Sequence, residues 1–189
     1  MQAVEILKAE HDAVLVVLDT LERGVGAAAG GRPVPAAIFA DIQEFFAIFV
    51  ERCHTSKEEA EVFSRLDTER DAPVVADLER EHQLGRGFAA AYAAAVRAYV
   101  PGDVGSARRL EEAAQQYVAR LRAHIEHENR DLFPAIERDL AAEDARLVSA
   151  FDRIEAEQIG EGTHERLHGM IDTLPARLAP WLEAPVTAR

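Results

Sequence analysis

The 189-residue chain is nearly half apolar (48%) and carries a formal charge of −13, enough length and apolar content for one domain with a substantial core. The acidic balance excludes nonspecific binding to nucleic acid or to an anionic membrane surface, since both need basic surface. No run of about 18 apolar residues marks a membrane span, and the opening Val4-Glu5-Ile6-Leu7-Lys8 lacks a basic-then-apolar leader, so a cytoplasmic protein is expected.

Alanine, leucine, glutamate and arginine dominate and no stretch alternates polar with apolar, which predicts an all-α protein. A first helix is expected over 4–23, ended by Gly24-Val25-Gly26, with a loop through Gly30-Gly31-Arg32-Pro33. Val4, Leu7, His11, Val14, Leu18 and Leu21 alternate three- and four-residue steps, so His11 lies on the apolar seam. A second helix is expected over 35–66. Phe46, Val50, Val62 and Leu66 turn the face of His54 and Glu58 inward. Cys53 adjoins His54 in sequence but lies about 100° round the helix. It cannot form an internal disulfide, fits a reducing compartment, and reads as a packing cysteine, with a redox role as the alternative.

A third helix opens at Asp71-Ala72-Pro73 and ends at Val100-Pro101-Gly102. Its seam of Val75, Leu78, His82, Gly85, Ala89, Tyr92, Val96 and Tyr99 carries a second lone histidine inward. The fourth is expected over 106–140 with Ser106 as its N-cap. Leu110, Tyr117, Leu121 and Leu132 place His124 and Glu128 on the inner face, and Pro134 is expected to kink the helix just beyond them. Short connections between four helices predict an up-down-up-down four-helix bundle over residues 1–140. Residues 141–189 read as a C-terminal helical extension packed on it, with helices over 141–158 and 163–183 split at Gly160-Glu161-Gly162.

The second and fourth helices carry one device twice. His54-Thr55-Ser56-Lys57-Glu58 and His124-Ile125-Glu126-His127-Glu128 both read H-x-x-x-E, followed by Val62-Phe63 and Leu132-Phe133. The lone histidines follow the same repeat: 11 to 82 is 71 residues, whereas 54 to 124 and 58 to 128 are each 70. Four imidazoles and two carboxylates would cost several kcal/mol per charged group if buried without partners. Inside a bundle they form a ligand set for two cations, which iron, manganese or zinc would satisfy. If both glutamates bridge, each metal receives two nitrogens and two oxygens. An oxo or hydroxo bridge would add a fifth ligand and leave one open octahedral position per metal. Open positions imply chemistry with dioxygen, peroxide or nitric oxide, which favours iron over manganese or zinc.

These residues resemble the hemerythrin-like proteins of the HHE cation-binding class over about residues 5–140. The resemblance rests on Glu10-His11, the run HTSKEEAEVF at 54–63, Glu81-His82 and the run HIEHENRDLFP at 124–134. It implies that His11, His54, Glu58, His82, His124 and Glu128 hold a carboxylate-bridged pair of irons (Fe–O–Fe or hydroxo-bridged), a non-haem centre for a small diatomic or peroxide ligand in oxidative or nitrosative stress or in iron handling. Two departures count against simple oxygen carriage: Arg86 stands where the oxygen carriers have a second histidine in the third helix, and Asn129 where they have an aspartate. Rival readings are a catalase-like enzyme that disproportionates peroxide, an iron-responsive interaction module, and, from His164-Glu165-Arg166-Leu167-His168, an H-E-x-x-H zinc hydrolase.

Several smaller features carry further expectations. His164 or His168 is a candidate for a fifth imidazole or for a hydrogen bond to a ligand; the alternative is an amphipathic helix packing through Leu167, Met170, Ile171, Leu174 and Leu178. Tyr92 and Tyr117 are candidate donors to a bound ligand, or plain core. Gly85 is expected to leave room for a diatomic molecule or to receive a neighbouring phenylalanine. His127, Glu10 and Glu81 are expected on solvated faces; the alternative is a supporting contact to the ligands, for the two glutamates a hydrogen bond to a ligand on the next helix.

Overall fold

In the computed structural model, residues 1–66, 69–160, 162–183 and 186 are described, with the backbone alone at 164. The first helix, α1, spans Gln2–Ala29 and runs straight through Gly24 and Gly26 rather than stopping there. Glycine weakens a helix interior by about 1 kcal/mol against alanine, but packing overrides it here. A Cβ on Gly24 would meet Phe39 at 3.1 Å and Leu178 at 3.4 Å, so the missing side chain lets two other helices close on α1. The reversal is made at Gly31, with φ +90°, a left-handed conformation that favours glycine.

The second helix, α2, covers 36–65 and changes gauge along its length. It is α-helical over Ala36–Phe45, π-helical over Phe46–His54, α-helical over Thr55–Lys57, π-helical over Glu58–Val62 and 3₁₀ over Phe63–Arg65. The third, α3, spans Ala72–Ala98 with Pro73 in its first turn, where a missing N–H costs nothing. The fourth, α4, covers 104–139: α-helix over Val104–His127, a π-turn over Glu128–Leu132, then α-helix over Phe133–Asp139. Its cap is Asp103, whose carboxylate accepts from the Ser106 N–H at 2.9 Å. Ser106, expected as the cap, instead donates its hydroxyl to the Asp103 carbonyl at 3.0 Å. The irregularity expected of Pro134 sits upstream of it, in the π-turn, and α-helix resumes at Phe133.

Contacts fix the direction of each helix. Lys8 near the start of α1 lies 4.0 Å from Glu137 near the end of α4, while Asp19 pairs with Arg122, so α1 and α4 are antiparallel. Glu59 meets His82 and Phe39 meets Tyr99, so α2 and α3 are antiparallel. Glu81 meets His124 and Phe88 meets Arg120, which reverses α3 against α4. The result is an up-down-up-down bundle. Two further helices, α5 (Asp144–Gln158) and α6 (Thr163–Leu182), lie against α1 and α2. α6 buries Leu167, Ile171, Leu174 and Leu178.

The core divides into two apolar clusters. One is built around Phe39, Phe45, Phe46, Phe49, Tyr92 and Tyr117. The other gathers Leu7, Val62, Phe63, Leu78, Phe133 and Phe151. Along α1, Leu7 belongs to one and Val14 to the other; along α2, Val62 and Val50 divide in the same way. His11, His54 and Glu58 fall between those pairs, so the polar residues form a layer sealed by dry core on both sides. No helix among the described residues is long and apolar enough to cross a membrane.

Candidate metal centre

Six buried side chains meet in that layer. His11, His54, Glu58 and Glu128 form one group, and Glu58, His82, His124 and Glu128 another; within each group the donor atoms lie within 4.8 Å of one another. Glu128 turns Oε2 to His11 Nε2 at 3.0 Å and Oε1 to His124 Nε2 at 2.9 Å. Glu58 turns Oε1 to His54 Nε2 at 3.6 Å and Oε2 to His82 Nε2 at 3.5 Å. Each carboxylate therefore offers one oxygen to each imidazole pair. The sequence-predicted set His11, His54, Glu58, His82, His124 and Glu128 is brought together whole.

The outer nitrogens explain why the inner ones are bare. His54 Nδ1 lies 2.8 Å from Glu10 Oε2 and His124 Nδ1 2.8 Å from Glu81 Oε2. His82 Nδ1 lies 2.9 Å from Glu59 Oε1, and His11 Nδ1 3.2 Å from Asn129 Oδ1. Each partner is an oxygen acceptor, so each Nδ1 carries the proton and each Nε2 turns a lone pair inward. His11 and His54 bring two such Nε2 atoms to 3.2 Å of each other. Both oxygens of Glu58, both of Glu128 and His82 Nε2 are buried without a hydrogen-bond partner. Orphaned buried acceptors carry a desolvation penalty. Two cations would satisfy all of them at once, so the residues fit a pair of metals.

Protons would otherwise supply that positive charge. Burial alone would depress the imidazoles, but Glu128 and Glu58 outweigh it and push His82 up to about 10. Burial opposes and Glu128 and Glu81 carry His124 up to about 9. Burial and the neighbouring Glu128 raise Glu58. Burial also opposes ionisation of Glu128, but the imidazoles around it, led by His124, hold it well below the carboxylate range.

Two expectations are overturned around this layer. Glu10 is buried and Glu81 only partly exposed: each binds the imidazole of the next helix, because a glutamate beside the seam histidine reaches across the helix interface. His127 is not simply solvated either; its Nδ1 meets Glu81 Oε1 at 3.1 Å. In the first half, buried Lys57 takes the same place and donates to Glu10 Oε1. Adding 70 or 71 residues converts one set of outer partners into the other: 10 to 81, 57 to 127, 59 to 129. Phe63 stacks on His82 and Phe133 on His11, again 70 apart. Glu59, Lys57 and the two phenylalanines went unread as partners, although the repeat itself pointed to them.

Other candidates separate. A cavity of about 30 Å³ adjoins the imidazoles and is lined in part by Gly85 and Tyr117. A Cβ on Gly85 would meet nothing within 4 Å, so no phenylalanine fills its place. Tyr92 is not at this cavity; its hydroxyl donates to the Phe39 carbonyl at 3.2 Å inside the aromatic core. His168 is not among the metal-holding groups either. It is exposed, meets the Phe49 ring at 5.8 Å and lines a separate cavity with Glu10, Lys57 and Phe151. The side chain of His164 lies outside the described residues. Cys53 is fully buried and its thiol is pushed up by burial, which is the setting of a packing cysteine. Arg86 points away from the layer, to Glu51 at 3.3 Å and Glu59 at 2.7 Å.

Residues 2–136 match the family model described as the hemerythrin HHE cation binding domain. No curated protein and no solved structure matches the chain.

Proposed function

Because this chain belongs to the hemerythrin HHE cation-binding family, we propose that it is a non-haem di-iron protein whose metal pair binds or reacts with dioxygen, peroxide or nitric oxide. One observation carries the reading: the four unpaired carboxylate oxygens of Glu58 and Glu128 are divided evenly between two imidazole pairs. His11 and His54 would hold one iron, His82 and His124 the other, and Glu58 and Glu128 would bridge them. Two nitrogens and two oxygens per ion leave positions free in a six-coordinate scheme, which supports an open, reactive centre over a closed structural one. When bound, the iron pair supplies those open positions and redox electrons to the small ligand.

The chain's own residues supply the rest. Glu10, Glu59, Glu81 and Asn129 fix the four imidazoles in one tautomer and one orientation. The two apolar clusters exclude bulk water and strengthen every charge interaction between them. Simple oxygen carriage is disfavoured by the two positions that depart from the oxygen carriers. Arg86 is engaged with carboxylates outside the layer, and Asn129 is engaged with His11.

Metal analysis with an absorption spectrum of the oxidised protein tests the proposal. Two irons per chain are expected, with a ferric spectrum that changes on adding azide, peroxide or nitric oxide. Joint Glu58→Ala and Glu128→Ala substitution should abolish iron uptake. A protein that stays metal-free after anaerobic exposure to ferrous iron would sink the reading.

A further inference from the structure

The cavity beside the imidazoles carries a polar group that metal holding does not explain. Tyr117 lines it, is 2% exposed, and its hydroxyl is buried without a hydrogen-bond partner. Its two fellow tyrosines both find a carbonyl: Tyr92 that of Phe39 at 3.2 Å and Tyr99 that of Val34 at 2.8 Å. The Tyr117 ring is fixed by Phe46, edge-on at 4.9 Å, and by Tyr92, stacked at 6.1 Å, so the hydroxyl is held in place. Burial raises its pKa far above the ordinary tyrosine range, which keeps it a donor.

The repeat breaks at this cavity. The metal-holding residues are the same in both halves of the repeat, but the paired positions at the cavity walls carry different residues. Tyr117 corresponds to Ala47 (117 − 70), Gly85 to Val14 (85 − 71) and Leu121 to Glu51 (121 − 70). A volume of about 30 Å³ against the roughly 10–15 Å³ that one water requires admits a very small molecule. The bundle is two-fold in what would hold metal, whereas its halves turn unlike residues to this space: Val14, Val50 and Glu51 from one, Gly85, Tyr117, Arg120 and Leu121 from the other.

We propose that the Tyr117 hydroxyl is the hydrogen-bond donor to a small ligand in this cavity, and that the space opened by Gly85 receives it. The ligand class is a molecule of two or three heavy atoms with a strong acceptor atom, such as peroxide or azide. This rests on the di-iron reading above, since the iron pair would anchor the ligand's other end.

The test is an azide titration of the iron-loaded ferric protein, followed by absorption, in the wild type, Tyr117→Phe and Gly85→Val. Tyr117→Phe should bind azide about tenfold more weakly, the loss of one hydrogen bond to a charged acceptor. Its iron content should be unchanged, and its metal-free form should melt no lower than the wild type, because an unpaired hydroxyl has been removed. Gly85→Val, which copies the Val14 side of the repeat, should weaken azide at least as much by filling the space. Azide affinity within twofold of wild type in Tyr117→Phe would overturn the inference and leave the hydroxyl holding an ordered water only. Loss of iron or of melting temperature in that variant would also overturn it, by making Tyr117 a packing residue. If the wild type takes up two irons and binds azide, such a failure belongs to Tyr117 alone; if it takes up none, both readings fall together.

Discussion

Glu10 and Glu81 hold corresponding imidazoles in different surroundings. Glu10 is 5% exposed and ion-pairs with Lys57, itself 1% exposed. The Glu81 side chain is 24% exposed, and its second partner is His127 rather than a permanent cation. Removing one member of a buried ion pair costs about 3–5 kcal/mol because the other charge is stranded. Glu10→Ala should therefore destabilise the metal-free protein by about 3 kcal/mol, at the low end because Glu155 lies 3.7 Å from Lys57. Glu81→Ala should cost under about 1 kcal/mol, since solvent screens it. Urea unfolding decides the matter, and equal losses would contradict the asymmetry. Iron affinity should fall in both, by about 10- to 100-fold, because either change frees an imidazole.

Tyr99 gives a pH dependence that is independent of the metal layer. Burial pushes its hydroxyl up to about 12, above the value near 10 of an unfolded tyrosine. A group raised on folding contributes stability that is complete below about 10 and disappears as pH rises through about 12. Tyr99→Phe keeps the ring against Phe39 and loses the bond to the Val34 carbonyl. It should cost about 1 kcal/mol at neutral pH and reduce the fall in stability between pH 10 and 12. An identical alkaline slope in the two proteins would show that Tyr99 titrates as it does unfolded.

At the scale of elements, the helical seams and the six inward residues were legible because three- and four-residue spacing survives any tertiary arrangement. What was not legible depended on neighbours. The gauge changes at Phe46–His54, Glu58–Val62 and Glu128–Leu132 have no local composition signal, yet two of them start at Glu58 and Glu128, and π-turns recur at functional sites. Glu10 and Glu81 read as solvated in the sequence because a residue next to the seam is about 100° off it; only the closeness of α2 and α4 gives them a partner.

Gly24 and Gly26 read as a helix stop for the same reason, since the close approach of Phe39 and Leu178 is invisible in sequence. The two glycines should now behave differently. A Cβ added at Gly26 would meet nothing within 4 Å, so Gly26→Ala should stabilise by up to about 1 kcal/mol through helix propensity. At Gly24 the same gain is opposed by crowding against Phe39 at 3.1 Å, and Gly24→Ala should be neutral or destabilising. A larger gain at Gly24 than at Gly26 in urea unfolding would remove the packing explanation for the uninterrupted α1.

For the whole molecule, the sharing of both carboxylates couples the two halves of the bundle. Without metal, the layer between the apolar clusters holds two glutamates whose oxygens lack partners, so ions that bind only the folded state should stabilise it. Free ferrous iron at about 100 times its dissociation constant is worth about 2.7 kcal/mol per site, or roughly 5–11 °C in melting temperature for each ion bound by a chain of this size. An unchanged melting temperature on loading would argue against a preformed site. Stoichiometry tests the sharing directly. His82 belongs to one group, so His82→Ala should leave the ion at His11 and His54 and give about one iron per chain. Glu58 belongs to both groups, so Glu58→Ala weakens both sites and should bring the iron content well below one. If Glu58→Ala instead retained one tightly held iron, the carboxylate would be serving a single ion and the two halves would bind independently.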